Sequence, residues 1–150
     1  MTGPRIGWLI GSKQIIEACW RFKDYTTLSH SGIGEYLATI ALKEENRLKF
    51  TRRNLQVSRD NLALLNDWNR NNGNVFNWSP PKAGFTVFMA YSTPMGSELF
   101  CEGFLKERKV LTSPGAYFGV DNHIRLNVGC KSETMKEVLG RLKSFMENLP

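Results

Sequence analysis

Pro114-Gly115-Ala116-Tyr117-Phe118-Gly119-Val120-Asp121-Asn122-His123-Ile124-Arg125-Leu126-Asn127-Val128 joins a glycine-bearing loop to a short run of strict alternation. Ile124, Leu126 and Val128 recur at every second residue. A strand through them turns these three to one face and Arg125 and Asn127 to the other. The apolar face requires a core, and the polar face holds an arginine on a rigid backbone just beyond the loop. A guanidinium held this way offers a planar fork of donors that matches a carboxylate through two parallel hydrogen bonds. The same alternation suits an arginine on the wet face of a half-buried strand, so the residues leave both readings of Arg125 open.

On the C-terminal side, Met135, Val138, Leu139, Leu142, Phe145, Met146 and Leu149 follow a helical period, and Thr134 and Glu137 have capping-box spacing. On the N-terminal side, Val110–Thr112 reads as a strand and Pro94–Ser97 as the start of a helix carrying Leu99, Phe100 and Phe104. Phe85–Tyr91 has the strongest strand composition, preceded by a Pro80-Pro81 turn and by Val75–Trp78. Residues 75–149 thus predict a β-α-β-β-α unit. Before it, a helix from about Glu44 to Asn69 carries the stripe Leu48, Leu55, Leu62 and Leu65, and Asn71-Asn72-Gly73-Asn74 ends it. Ile33, Tyr36, Leu37, Ile40 and Ala41 predict another helix. Ser12 is an N-cap for one with Ile15, Ile16, Cys19 and Trp20 on one face. Arg5–Ile10 reads as a buried strand closed by Gly11. Strands interleaved with helices give the α/β class: a sandwich with a small mixed sheet covered by helices.

Composition sets bounds on function. With 150 residues, 41% hydrophobic and 23% charged, the chain can bury a core and is not a disordered segment. No apolar run approaches the roughly 20 residues that span a bilayer, and Ile6–Ile10 is too short for a signal-peptide core. Cys19, Cys101 and Cys130 are odd in number and lack metal-type spacing, which suits reduced, mostly buried thiols in a cytoplasmic protein. The net charge is +6, and Arg47, Lys49, Arg52, Arg53 and Arg59 crowd into one helix. Such a patch attracts phosphate-rich partners, but no nucleic-acid-binding motif accompanies it. A solvated helix face explains it without a partner, so neither nucleic acid nor membrane is expected.

Several segments resemble one family in order and spacing. Gly3-Pro4-Arg5-Ile6-Gly7-Trp8 is similar to the Gly-x-Arg-x-Gly-aromatic run of fold-type I, pyridoxal-phosphate-dependent aminotransferases of the aspartate aminotransferase superfamily. Pro80-Pro81-Lys82-Ala83-Gly84-Phe85 resembles that family's approach to its small-domain strand. Lys106–Val110, followed by Pro114–Gly119 and His123–Asn127, resembles its closing motif. The resemblance implies a C-terminal part: residues 1–44 the tail of the large cofactor-binding domain, 45–74 a connecting helix, and 75–150 the small α/β domain. It implies pyridoxal 5'-phosphate as cofactor, amino acids and 2-oxo acids as substrates, and a homodimer. Arg5 would pair with the cofactor phosphate, Arg125 would bind the substrate α-carboxylate, and Tyr117 and Phe118 would lie near the substrate side chain. Ser29–Gly34 falls where members reach the neighbouring subunit's active site, but its match to the family is loose.

The departures are as informative. The family's Schiff-base lysine lies about eight residues before the phosphate arginine, which here would fall upstream of Met1. Lys13 and Lys23 follow Arg5 and do not match. Without that lysine the polypeptide as written should not transaminate. Two functions follow: a C-terminal fragment of an aminotransferase, or a non-catalytic domain that binds carboxylates or proteins. Substrate identity is not legible. The absence of arginine from Ser29–Gly34 tilts only slightly away from dicarboxylic amino acids.

Overall fold

The computed structural model describes residues 3–149. The chain divides into two compact units, Met1–Thr51 and Arg52–Pro150. The break falls inside a single long helix.

In the first unit, α1 spans Lys13–Lys23 and α2 spans Gly32–Leu42. Ser12 and Ser31 cap them, accepting from the N–H groups of Ile15 at 3.4 Å and Gly34 at 3.2 Å, as N-cap hydroxyls do. Both predicted helices are therefore present. The predicted strand Arg5–Ile10 is not: these residues are irregular and Trp8, Leu9 and Ile10 are exposed. A strand needs a neighbour for its N–H and C=O groups, and among the described residues none pairs with this run. Gly34 is the only buried residue between positions 3 and 51. A Cβ there would lie 3.0 Å from the Ile6 side chain and 3.1 Å from the Pro4 carbonyl oxygen, so residues 4–6 press against the first turn of α2.

Helix α3, Glu44–Asn71, crosses the break, and its later turns belong to the second unit. It ends where the sequence predicts, with Gly73 and Asn74 at positive φ and the Asn74 N–H donating to the Asn69 carbonyl at 2.8 Å. Its buried face follows the leucine stripe only in its second half, where Leu65 is buried and Leu62 packs on the core. Ser58, Asn61, Leu65 and Asn69 are buried, whereas Leu48 and Leu55 are exposed. The polar members bond to backbone instead. Ser58 Oγ donates to the Gly84 carbonyl at 3.2 Å. Asn69 donates to the Phe76 carbonyl at 2.8 Å and accepts from the Phe76 N–H at 3.1 Å.

The second unit holds β1 (Phe76–Asn77), β2 (Thr86–Tyr91), α4 (Ser97–Arg108), β3 (Ser113–Pro114), a 3₁₀ turn at Gly115–Phe118, β4 (His123–Asn127) and α5 (Ser132–Met146). The four strands lie in the order β1-β2-β4-β3 and every pairing is antiparallel, so the sheet is not mixed. The third strand forms at Ser113–Pro114 rather than Val110–Thr112, because Lys109 ends α4 in the left-handed conformation and the chain must first return to the sheet. On the covered face Val87 stands opposite Leu126 and Met89 opposite Ile124, with Tyr91 next along β2. There they join Leu65, Phe100, Phe104, Met135, Leu139, Leu142 and Phe145 in one core. Phe100 is its centre, 4.6 Å from the Tyr91 ring and 5.2 Å from that of Phe145. Burying each such ring contributes about 1.5–3 kcal/mol.

Leu99 is exposed although Phe100 and Phe104 are fully buried. The capping box at Thr134 does not form. Lys131 is the N-cap, which places Thr134 inside the first turn. The apolar stripe of α5 is nevertheless buried as its period requires. Of the three free thiols, Cys101 is buried, Cys130 is half-buried and Cys19 is exposed on α1, so they are not mostly buried. Among the described residues, no helix is long and apolar enough to cross a membrane. The basic residues Arg47, Lys49, Arg52, Arg53 and Arg59 are exposed on α3.

Candidate functional site

Strand β4 presents Arg125 on the face opposite the core, as its alternation predicts. Across the ladder, Arg125 stands opposite Phe88 of β2 and Ser113 of β3, so it lies within the sheet rather than at its edge. Its guanidinium carbon is 4.8 Å from the centre of the Phe118 ring, a cation–π separation. Phe118 meets Phe88 edge-on at 5.9 Å, and Phe88 stacks on His123 at 4.8 Å with the planes 20° apart. Among the described residues no carboxylate pairs with Arg125. The result is an exposed fork of donors on an aromatic base.

The loop that delivers Phe118 is pinned from below. Asp121 Oδ1 accepts from the N–H of Ser97 at 2.7 Å and of Asn122 at 2.8 Å, tying the first turn of α4 to the entrance of β4. The buried Ser97 hydroxyl accepts from the Ala116 N–H at 3.0 Å. Asn122 donates to the Thr93 carbonyl at 3.0 Å and its own carbonyl accepts from the Tyr91 N–H at 3.0 Å. Bonds from the Ser97 side chain, then from the Ser97 and Asn122 backbones, hold the Asp121 carboxyl below the usual carboxylate range. A depressed pKa contributes stability that is fully present above the unfolded-state value, about 3.9, and is lost as pH falls through the lower folded value. Asp121→Asn should therefore be less stable than the parent at pH 7, with the gap closing as pH drops below about 4. Urea midpoints across this range measure it, and a gap constant with pH would discount the charge on Asp121.

Tyr117 occupies the same 3₁₀ turn but is 71% exposed. Phe118 is the member of this turn whose ring lies against Arg125.

Arg5 belongs to the other unit. It has a left-handed backbone (φ 55°) and an exposed side chain. It lines a hollow of about 290 Å³ together with Lys23, Thr27, Ser29, His30 and Ser31. Lys23 Nζ is 2.9 Å from His30 Nδ1, which fixes the lysine at the wall. Cations and hydroxyls are a donor set that suits a phosphate. The hollow contains Ser29–Ser31, the start of the loosely matching segment.

Sequence reasoning did not single out Phe88, His123, Asp121 or Ser97. Phe88 was legible: Val87, Met89 and Tyr91 take the core face of β2, which leaves Phe88 for the face that bears Arg125. Asp121 and Ser97 are 24 positions apart and carry no spacing signal.

Comparison with known proteins bears on this arrangement. A family model described as aminotransferase class I and II matches residues 1–142. Among curated relatives, the aspartate aminotransferase of Thermotoga maritima is 27% identical over 149 residues, which cover 99% of this chain and 37% of that protein. The capreomycidine synthase of Streptomyces vinaceus is 25% identical over 142 residues, covering 95% and 36%. A pyridoxal-phosphate-dependent aminotransferase structure from Streptococcus suis superposes with a TM-score of 0.86 at 28% identity, covering 99% of this chain and 39% of that one. The chain spans less than two-fifths of the length of these relatives. The shared architecture is that of fold-type I aminotransferases.

Proposed function

The chain belongs to the class I and II aminotransferases, and from that membership we propose that it is the C-terminal part of a pyridoxal-phosphate-dependent enzyme that moves an amino group between an amino acid and a 2-oxo acid. In this reading residues 1–44 are the tail of the large domain, 45–74 the connecting helix and 75–150 the small domain. The observation that carries it is Arg125: a guanidinium mid-strand, based on Phe118 and without an acidic partner among the described residues. It binds the α-carboxylate through a bidentate pair and fixes the direction of the substrate Cα–H bond, with Phe118 and Tyr117 toward the side chain. Arg5, with the hydroxyls of its hollow, binds the cofactor phosphate. Pyridoxal phosphate, when bound, supplies an electron sink for the bond broken at Cα.

No lysine of these 150 residues matches the family's cofactor-binding position, so this chain alone is inactive. The near-total lack of burial in residues 3–51, with Trp8, Ile10, Trp20 and Phe22 exposed, supports a unit that other parts of a longer protein cover. The complete enzyme is read as a cytoplasmic homodimer. A second reading, a self-standing carboxylate-binding or protein-interaction module, draws on the closed core of the second unit.

Propionate titrated into the chain and followed by NMR at Arg125 tests the carboxylate role. Arg125→Lys should weaken binding about tenfold, because an ammonium cannot reproduce the fork. Unchanged affinity would remove Arg125 from this role. Turnover of an amino acid and a 2-oxo acid by the chain plus pyridoxal phosphate would contradict the claimed inactivity.

A further inference from the structure

Beside Arg125 the open face of the sheet is not flat. A hollow of about 500 Å³ lies along β2, between the Trp78–Pro81 segment and the strand. Trp78, Phe88 and His123 supply its aromatic surface, with Thr86, Ala90 and Pro81 beside them. Phe88 is shared. It faces the hollow, stands opposite Arg125 in the ladder, and touches the Phe118 ring that underlies the guanidinium. Directly opposed residues of an antiparallel pair lie about 5 Å apart, so the residue that walls the hollow is the ladder neighbour of Arg125.

The rings around it are held in place. His123 Nδ1 donates to the Asp121 carbonyl at 2.8 Å, and the imidazole plane stacks on Phe88. Fixed aromatic faces next to a cation suit a planar ring attached to a carboxylate by two or three bonds. A second carboxylate would fare poorly, since no lysine or arginine lines the hollow.

We propose that this hollow is a side-chain subsite, and that the carboxylate held by Arg125 belongs to an aryl-substituted acid whose ring packs between Trp78 and the Phe88–His123 pair. The assignment rests on the carboxylate role of Arg125 and adds a substrate class to it.

NMR titration of the full 150-residue chain with 3-phenylpropionate, propionate, succinate and 3-phenylpropan-1-ol, following the indole N–H groups, tests it. The phenyl acid should bind about tenfold more tightly than propionate or succinate, the increment expected from burying one ring. The shifts should centre on Trp78. Trp78→Ala should reduce the ratio to about one, and Phe88→Leu should lower it if the first variant fails to fold. Equal affinity for the phenyl and alkyl acids, both lost in Arg125→Gln, would overturn the subsite and leave the carboxylate role standing. Binding of either acid that ignores Arg125→Gln would overturn both. Binding of the alcohol alone, with shifts at Trp78 and no acid effect at Arg125, would keep an aromatic cavity but refute the proposed ligand.

Discussion

Gly115→Ala should destabilise the second unit by about 3 kcal/mol, the upper end of the cost of overpacking, and should weaken carboxylate binding with it. A Cβ at Gly115 would lie 2.6 Å from the His123 Cβ and 2.8 Å from the His123 carbonyl oxygen, and would overlap the Val120 carbonyl. None of these is the far end of a flexible side chain. The His123 carbonyl belongs to the first residue of β4, and Pro114 pairs with Ile124 immediately before the turn. The Val120 N–H, in turn, donates to the Gly115 carbonyl at 3.1 Å. Relief therefore requires the 3₁₀ turn to lift from the strand, which carries Phe118 away from Arg125. Gly119→Ala is the control. Its φ of 77° strains an alanine, yet nothing lies within 4 Å of the added carbon, so about 1 kcal/mol is expected. Urea unfolding and a propionate titration read both effects. Equal losses at the two positions would show that close approach is not what Gly115 provides.

The parts of this fold legible in the sequence are those set by local period. Alternation through Ile124, Leu126 and Val128 placed Arg125 outside the core, and the stripe from Met135 to Phe145 marked α5 and its buried face. What escaped depends on partners distant in sequence. Arg5–Ile10 has a strand's composition, but β structure exists only as a pair, and no neighbour for it lies among the described residues. The leucine stripe of α3 holds at Leu62 and Leu65, which pack on the core, and fails at Leu48 and Leu55, which are exposed. The buried face is completed by Ser58, Asn61 and Asn69, whose value comes from backbone groups that no helical period encodes. Likewise, the residues that aim Phe118 at Arg125 do so through Asp121 and Ser97, capping a helix from a loop 24 positions away. Resemblance supplied roles for Arg5 and Arg125 that geometry alone left open. Geometry adds that the Phe118 ring lies against the Arg125 guanidinium.

The hidden face of α3 leads to the second large effect. Asn61→Ala should cost about 3–4 kcal/mol, combining lost hydrogen bonds with a cavity. Asn61 is fully buried, and both hydrogens of its amide are used: Nδ2 donates to the Val128 carbonyl at 2.8 Å and to the Cys130 carbonyl at 2.8 Å. These carbonyls follow the end of β4, where the chain leaves the ladder and has no strand partner to satisfy them. The Val128 N–H still donates to the Phe85 carbonyl at 2.7 Å, so the asparagine completes an exit that the sheet only half supports. Alanine leaves the buried Val128 carbonyl without a donor and opens a void beside Leu65. Asn61→Leu fills the void and removes the Asn61 Oδ1 atom, which is buried without a protein partner. It should therefore cost less than alanine while still orphaning the Val128 carbonyl. Alanine worse than leucine, and both below the parent in urea midpoint, is the expected order. Leucine at or above the parent would mean that the two carbonyls find other donors and that α3 is held by apolar contact alone. Because β4 also carries Arg125, a loosened exit should reach the site as weaker propionate binding, though by less than Arg125→Lys, which removes the fork itself.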